Sequence, residues 1–362
     1  MQPAKHGFIG AYTRDGYVLF DPQSMIGDGS VHRITIRGGS RGVRGACLKA
    51  IARRIQDREY EVDTMHSALD PDTPQCIVCP SAGLLAISDD SNDRMFDPMM
   101  EIGGDALIDL DDALLTERSG VASDSFDTTI DTLKAEAVAF ERRAARCLES
   151  AAPLRLDAEE EYKSVLNEKL LDNMLAPWID TISAFRAPSE TGAESRFFAE
   201  SITSAGVVRY LDTIAYPRVW RLSGPWGCDF HTPLTKLRDA ALSRGLNVMC
   251  AMDALCPDRI SHLLIIELEL FITTEENACA IAYAAQRTID MRQAMPAHEL
   301  MPQHTMRALA FDELTYDQLI GRASYNLSLA DKVYAKLDKR IEDRIDERAL
   351  GISAIYRRTW TC

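Results

Sequence analysis

Apolar residues fall into two rhythms along this chain. Short apolar runs bounded by Gly, Pro and Asp predict strands at 34–37, 60–65, 75–79 and 84–88, and again at 219–222, 246–252, 262–266 and 268–273. Recurrence at i, i+3, i+4 and i+7 predicts helices at 46–57 and 233–243. The same rhythm runs through "SFDTTIDTLKAEAVAFERRAARCLES", "DAEEEYKSVLNEKLLDNMLAPWIDTISAF" and "TYDQLIGRASYNLSLADKVYAKLDKRIEDRIDERALGISAIY". Between the first two of these, "AAPLRLD" reads as a turn.

The pattern occurs twice. Shifting the chain by 186 residues lays the strands and helix of one half on those of the other without a gap. Gly38 falls on Gly224, Leu48 on Leu234, Arg58 on Arg244, Val62 on Val248, and "ALDPD" on "ALCPD". Upstream, "GFIGAYTRDGYVLF" aligns with "FFAESITSAGVVRY" at an offset of 190. One layout used twice implies duplication, with domains over 1–190 and 191–362 joined at the polar segment 187–195. Strands alternating with helices imply an α/β fold with parallel sheets covered on both faces, each domain carrying an added helical hairpin.

Composition narrows the function classes. The 362 residues are 46% hydrophobic, enough for a large core. The 55 acidic residues outnumber the 40 basic ones, a net charge of −15 that repels phosphate backbones and anionic membrane surfaces, so neither nucleic acid nor membrane is expected as a partner. The longest apolar stretch, "HLLIIELELFI", is short and holds two glutamates, which suits a buried strand. The first residues lack the basic-then-apolar pattern of a secretory signal, and nine cysteines at irregular spacing read as reduced thiols. These features predict a cytoplasmic protein.

Candidate chemistry lies where strand meets helix. The segment Gly38, Gly39, Ser40, Arg41, Gly42, Val43, Arg44, Gly45 has the frame of a phosphate-binding loop, in which backbone N–H groups and a helix N-terminus surround the anion. The second half has Gly224, Pro225, Trp226, Gly227, Cys228, Asp229, Phe230 and His231 in the same frame. The motif needs lysine followed by Ser or Thr; Arg44 and Gly45, and Phe230 and His231, stand there instead. From Gly29 to Gln56 there is no acidic residue and seven Arg or Lys. Either those basic groups pair with acidic surface elsewhere in the chain, or Arg41 and Arg44 join the loop amides in binding a phosphate-bearing ligand.

With its "RGGSRGVRGACLKAI" followed by "YEVDTMHSALDPDTPQ", and "SGPWGCDFHTPLTKL" followed by "LNVMCAMDALCPDRIS", the chain resembles an uncharacterised bacterial family of tandem P-loop ATPase-like proteins. The resemblance extends over nearly the full length and implies two P-loop NTPase-like domains and an ATP or other phosphate ligand. Both phosphate loops depart from the family's residues, so the expectation is a non-hydrolysing scaffold or regulator that needs no Mg²⁺, with an active NTPase or phosphotransferase as the alternative.

Other residues offer less. Cys76 and Cys79 have zinc-ligand spacing, but residues three apart on a strand face opposite ways. Cys228, His231, Cys250, Cys256 and His262 could form a zinc site if loops converge, although none is expected. His66 and Asp70 precede a turn, and Asp89 and Asp90 end a strand, where α/β sheets bind ligands. Val333, Leu337, Ile341 and Ile345 form an amphipathic stripe for packing within the chain, or for a protein partner or homodimer through the helical hairpins.

Overall fold

A computed structural model describes residues 5–27, 30–89, 106–110, 124–185, 187, 191–276, 284–295 and 301–342. The first half contains β1 (His6–Gly7), β2 (Gly10–Thr13), β3 (Gly16–Leu19), β4 (His32–Arg37), α1 (Arg41–Gln56), β5 (Asp63–His66), β6 (Pro74–Cys79), β7 (Leu84–Asp89), β8 (Ala106–Asp109), α2 (Asp124–Val165) and α3 (Glu168–Ser183). The second contains β9 (Glu194–Phe197), β10 (Glu200–Thr203), β11 (Gly206–Arg209), β12 (Arg218–Gly224), α4 (His231–Leu242), β13 (Val248–Met252), β14 (Ile260–Ile265), β15 (Leu270–Glu276), β16 (Arg287–Asp290) and α5 (Gln303–Glu342). Strand β9 begins inside the segment expected to be a linker.

The two six-stranded sheets have the same order, β1-β5-β6-β7-β4-β8 and β9-β13-β14-β15-β12-β16. Even their irregularities correspond: the β5–β6 register shifts between Met65 and His66, and the β13–β14 register shifts between Ala251 and Met252, 186 residues on. The sheets are mostly parallel but not wholly so, which corrects the expectation of parallel sheets. Strand β6 runs against β5 and β7, and β14 runs against β13 and β15. The cause is connection length. Only residues 67–73 separate β5 from β6, too few for the crossover that a parallel neighbour requires.

Nor are helices present on both faces. Alternate side chains of β6 and β7 divide between two clusters: Ile77, Cys79 and Ala86 pack with Leu48, Ala52 and Ile55 of α1, whereas Cys76, Val78, Leu85 and Ile87 face the other way. The latter join Met249, Ala251, Leu264 and Phe271 of the second sheet in one core. The sheets therefore stack on each other, with α1 outside one and α4 outside the other. Their strands are apolar on both faces because each lies between a helix and the opposite sheet. Phe8 and Phe198 join the halves by exchanging backbone hydrogen bonds of 2.8 Å. Each β-hairpin also reaches the opposite half: Arg14 N donates to Leu255 O at 3.0 Å, and Tyr210 OH donates to Pro71 O at 3.0 Å.

The "AAPLRLD" turn does not form. Helix α2 continues through Pro153 because Ala151 and Ala152, immediately before the proline, are buried in the core shared with α5, and that burial outweighs one lost backbone hydrogen bond. The chain breaks instead at Asn167, whose side chain caps α3 by accepting from Leu170 N at 3.0 Å. Ala144, Leu148 and Ala151 of α2 match Ala323, Leu327 and Ala330 of α5 at an offset of 179, and all six are fully buried. Arg155 near the end of α2 bonds Tyr316 near the start of α5, so the helices run antiparallel about a local two-fold relation. Small residues at the crossing let the two backbones approach, and the leucines fill the remaining space. Val333 and Leu337 of the amphipathic stripe are buried in this core and Ile341 packs against it; Ile345 lies outside the described residues. Among the described residues no helix is long and apolar enough to cross a membrane.

The middle of each long helix lies beside the hairpin of its own half, and its C-terminal part lies over the glycine loop of the other. Tyr12 of β2 donates to Glu141 of α2 at 3.0 Å, and Ser324 of α5 donates to Thr203 of β10 at 2.6 Å.

Candidate functional site

The first glycine loop joins the end of a strand to the start of a helix. Strand β4 ends at Arg37, Gly38 and Gly39 turn the chain with φ of 76° and 60°, a left-handed region open to glycine, and Ser40 caps α1 by accepting from Val43 N at 3.2 Å. The eight expected site residues are thus brought together at a strand end and a helix N-terminus. The backbone N–H groups of Arg41, Val43 and Arg44 and the side chains of Ser40, Arg41 and Arg44 donate within the chain.

Asp338 of α5 lies at the first turn of α1. It accepts from the backbone N–H of Arg41 at 2.9 Å through Oδ1 and from Arg41 Nε at 2.9 Å through Oδ2. Arg41 Nη1 donates to Asp331 at 3.1 Å, and its guanidinium lies over the Tyr334 ring, 5.0 Å from the centroid. Ser40 Oγ donates to Glu342 at 2.5 Å. A carboxylate at the first turn of α1 is favoured by the helix dipole as an anionic ligand is. Burial works against the Arg41 cation, yet Asp338 and Asp331 raise its pKa above the ordinary value. Of the two accounts of the basic stretch, pairing with acidic groups elsewhere describes Arg41.

Arg44 turns inward. Buried at 4% exposure, it donates to Ser88 Oγ at 2.9 Å and to the carbonyls of Gly38 and Gly39 at 3.1 and 3.0 Å, bracing the turn from beneath. At Gly45 a Cβ would lie 2.6 Å from Thr73 Cγ2, so the turn after β5 fills the space beside this glycine. Gly42 and Val43 complete the first turn of the helix.

The second loop is closed in a related way. Gly227, with φ of 76°, has Ala158 of α2 against it: a Cβ there would come 2.6 Å from Ala158 Cβ. Asp229 accepts from Thr232 N at 3.2 Å and Thr232 Oγ1 at 2.6 Å in the first turn of α4, and it also receives Arg259 at 2.9 Å. Arg259 spans to Glu159 of α2 at 2.7 Å, and burial raises the Glu159 pKa against the pull of that arginine. Glu159 and Asp338 correspond at the same offset of 179. Phe230 and Cys228 are buried, and His231 Nδ1 accepts from Ile260 N at 3.0 Å. Beside this loop Arg155 bonds Glu276 at 2.6 Å and lies 3.7 Å from Asp253.

The remaining candidates have local roles. Cys76 lies in the inter-sheet core and Cys79 on the α1 side. Burial pushes the Cys250 and Cys256 thiols up to about 12, and His262 Nδ1 accepts from Thr274 N at 3.1 Å. Among the described residues no three His, Cys, Asp or Glu side chains converge as metal ligands. Asp70 closes the turn after β5 by accepting from Thr73 Oγ1 at 2.5 Å. His66 stacks on Tyr210, ring centroids 4.6 Å apart, and its Nε2 lies 2.8 Å from His6 Nδ1; burial first, then His6, lowers its pKa to about 4. Asp89 pairs in register with Arg37 across β7 and β4, and Asp90 lies outside the described residues. Sequence reasoning missed Asp331, Asp338, Glu342 and Glu159. The 179-residue match between α2 and α5 was the available signal.

No family model, curated protein or solved structure matches this chain.

Proposed function

We propose that the protein is a non-hydrolysing, two-part scaffold whose glycine loops, shaped like phosphate loops, serve as sockets for its own long helices. The observation that carries this is Asp338, seated on the Arg41 amide and guanidinium where a phosphate loop would hold its anion. Phosphoryl transfer requires a metal ion and cationic groups directed at the transferred phosphate. Here Arg44 braces the turn, Thr73 crowds Gly45, and Arg41 is held by Asp331 and Asp338. The same features support placing the chain beside tandem P-loop ATPase-like proteins as a member that exchanged phosphate for carboxylate. A protein partner or a second copy is the object such a scaffold would hold. The test is ATP and GTP turnover with and without Mg²⁺, in the wild type and in Arg44→Ala. No turnover above the uncatalysed rate is expected in either; magnesium-dependent turnover lost in Arg44→Ala would restore the alternative of an active NTPase.

A further inference from the structure

A second cationic site lies away from both loops, at the crossing of α2 and α5. A groove of about 590 Å³ there is lined by Arg143, Arg146 and Ser150 of α2 and by Arg322, Tyr325 and Asn326 of α5, with Leu319 and Leu329 as apolar flanks. Its size falls within the range of small-molecule sites, roughly 300–1,000 Å³. The lining is built symmetrically. Arg143 corresponds to Arg322, Arg146 to Tyr325 and Ser150 to Leu329 at the 179-residue offset that relates the two helices, so the groove sits where their local two-fold axis emerges.

The lining is cationic, and its arginines differ from those at the glycine loops and the helix ends. Arg14, Arg41, Arg155 and Arg259 each have a carboxylate partner. Arg143, Arg146 and Arg322 are exposed and have no ion pair among the described residues; Arg143 lies only against the Phe140 ring, at 5.7 Å. Three guanidinium groups around one small groove repel each other, and an anion held between them relieves that local repulsion even though the chain's net charge of −15 opposes its approach. Guanidinium forks bind phosphoryl oxygens bidentately, and the Tyr325 hydroxyl and the second amide hydrogen of Asn326, whose first is donated to the Arg322 carbonyl at 2.7 Å, add neutral donors.

We infer that this groove is a binding site for a compact polyanion, a chain of two or three phosphoryl groups, either free or borne on a nucleoside. Two arginines from equivalent positions on the two helices would hold the ends of such a chain, with Arg146 between them. The inference is independent of the scaffold reading, because no residue of either glycine loop takes part.

Calorimetry on the full chain at constant ionic strength tests it, with orthophosphate, pyrophosphate, tripolyphosphate and ADP as probes. Saturable binding of pyrophosphate or tripolyphosphate is expected, at least about tenfold tighter than orthophosphate. Arg143→Gln with Arg322→Gln should weaken it by about tenfold or more, while Arg307→Gln, exposed elsewhere on α5, should leave it unchanged. All three positions are exposed, and unchanged melting of the variants would show that folding is intact. ADP binding more tightly than pyrophosphate would identify the nucleoside-borne form; equal binding would identify the free form. No binding at about 1 mM tripolyphosphate, or binding indifferent to the double substitution, overturns the inference.

Discussion

Removing the Asp338 carboxylate should cost more stability than a surface ion pair could. In Asp338→Ala the Arg41 guanidinium and its backbone N–H both lose a charged acceptor at 2.9 Å, at side chains only 18% and 16% exposed. Exposed pairs contribute about 0–1 kcal/mol, whereas breaking a buried one costs roughly 3–5 kcal/mol. Asp331 remains 3.1 Å from Arg41, so the cation is not left wholly uncompensated. Loss of a favourable charge at the α1 N-terminus adds about 0.3–1 kcal/mol. The expected loss is about 2–3 kcal/mol, intermediate between those limits. Urea unfolding of wild type, Asp338→Ala, Arg41→Met and the double variant measures it, with a coupling of about 1 kcal/mol or more expected between the two sites. A loss below about 0.5 kcal/mol with no coupling would refute the reasoning, since the contact would then be an ordinary surface pair.

His66 should make stability pH-dependent: burial and His6 lower its folded pKa to about 4, so between roughly pH 6.5 and 4 the unfolded chain binds a proton that the folded chain does not. Its contribution is present above pH 6.5 and is lost as pH falls, by at most about 1.4 kcal/mol per pH unit, and His66→Gln should flatten denaturation curves in that window; an unchanged profile contradicts this. Gly45→Ser, which restores the hydroxyl of a phosphate loop, should lower stability by about 1–3 kcal/mol because its Cβ meets Thr73; a neutral or stabilising effect on the melting temperature would show that the space is open. Gly227→Ala combines a 2.6 Å approach to Ala158 with a positive φ and should cost about 2 kcal/mol or more in the same melting assay; a cost below about 0.5 kcal/mol would mean that α2 does not seat on that loop.

How far the sequence carries can be seen at particular residues. The strand–glycine–helix order around Gly38 and Gly224 and the repeated element order were legible, because strand alternation and glycine turns are local signals. The reversal of β6 is present in the chain too, in the short span from His66 to Pro74, but strand-and-helix alternation carries no information on connection length. Pro153 misled because propensity describes an isolated helix, and Ala151 and Ala152 gain their burial only from α5, far along the chain. The carboxylates at the first loop were hidden for a similar reason. Asp338 lies 297 residues from Arg41, and nothing near either residue indicates that α5 crosses to the opposite half.

Hydrogen exchange of the Gly38–Gly45 backbone, followed with and without ATP and Mg²⁺, tests most directly whether the first loop is a socket for α5. The Arg41 amide bonded to Asp338 should be protected in the protein alone, unchanged by the nucleotide, and released in Asp338→Ala. Fast exchange in the protein alone, with protection appearing only when ATP and Mg²⁺ are added, would contradict the account and return the loop to nucleotide binding.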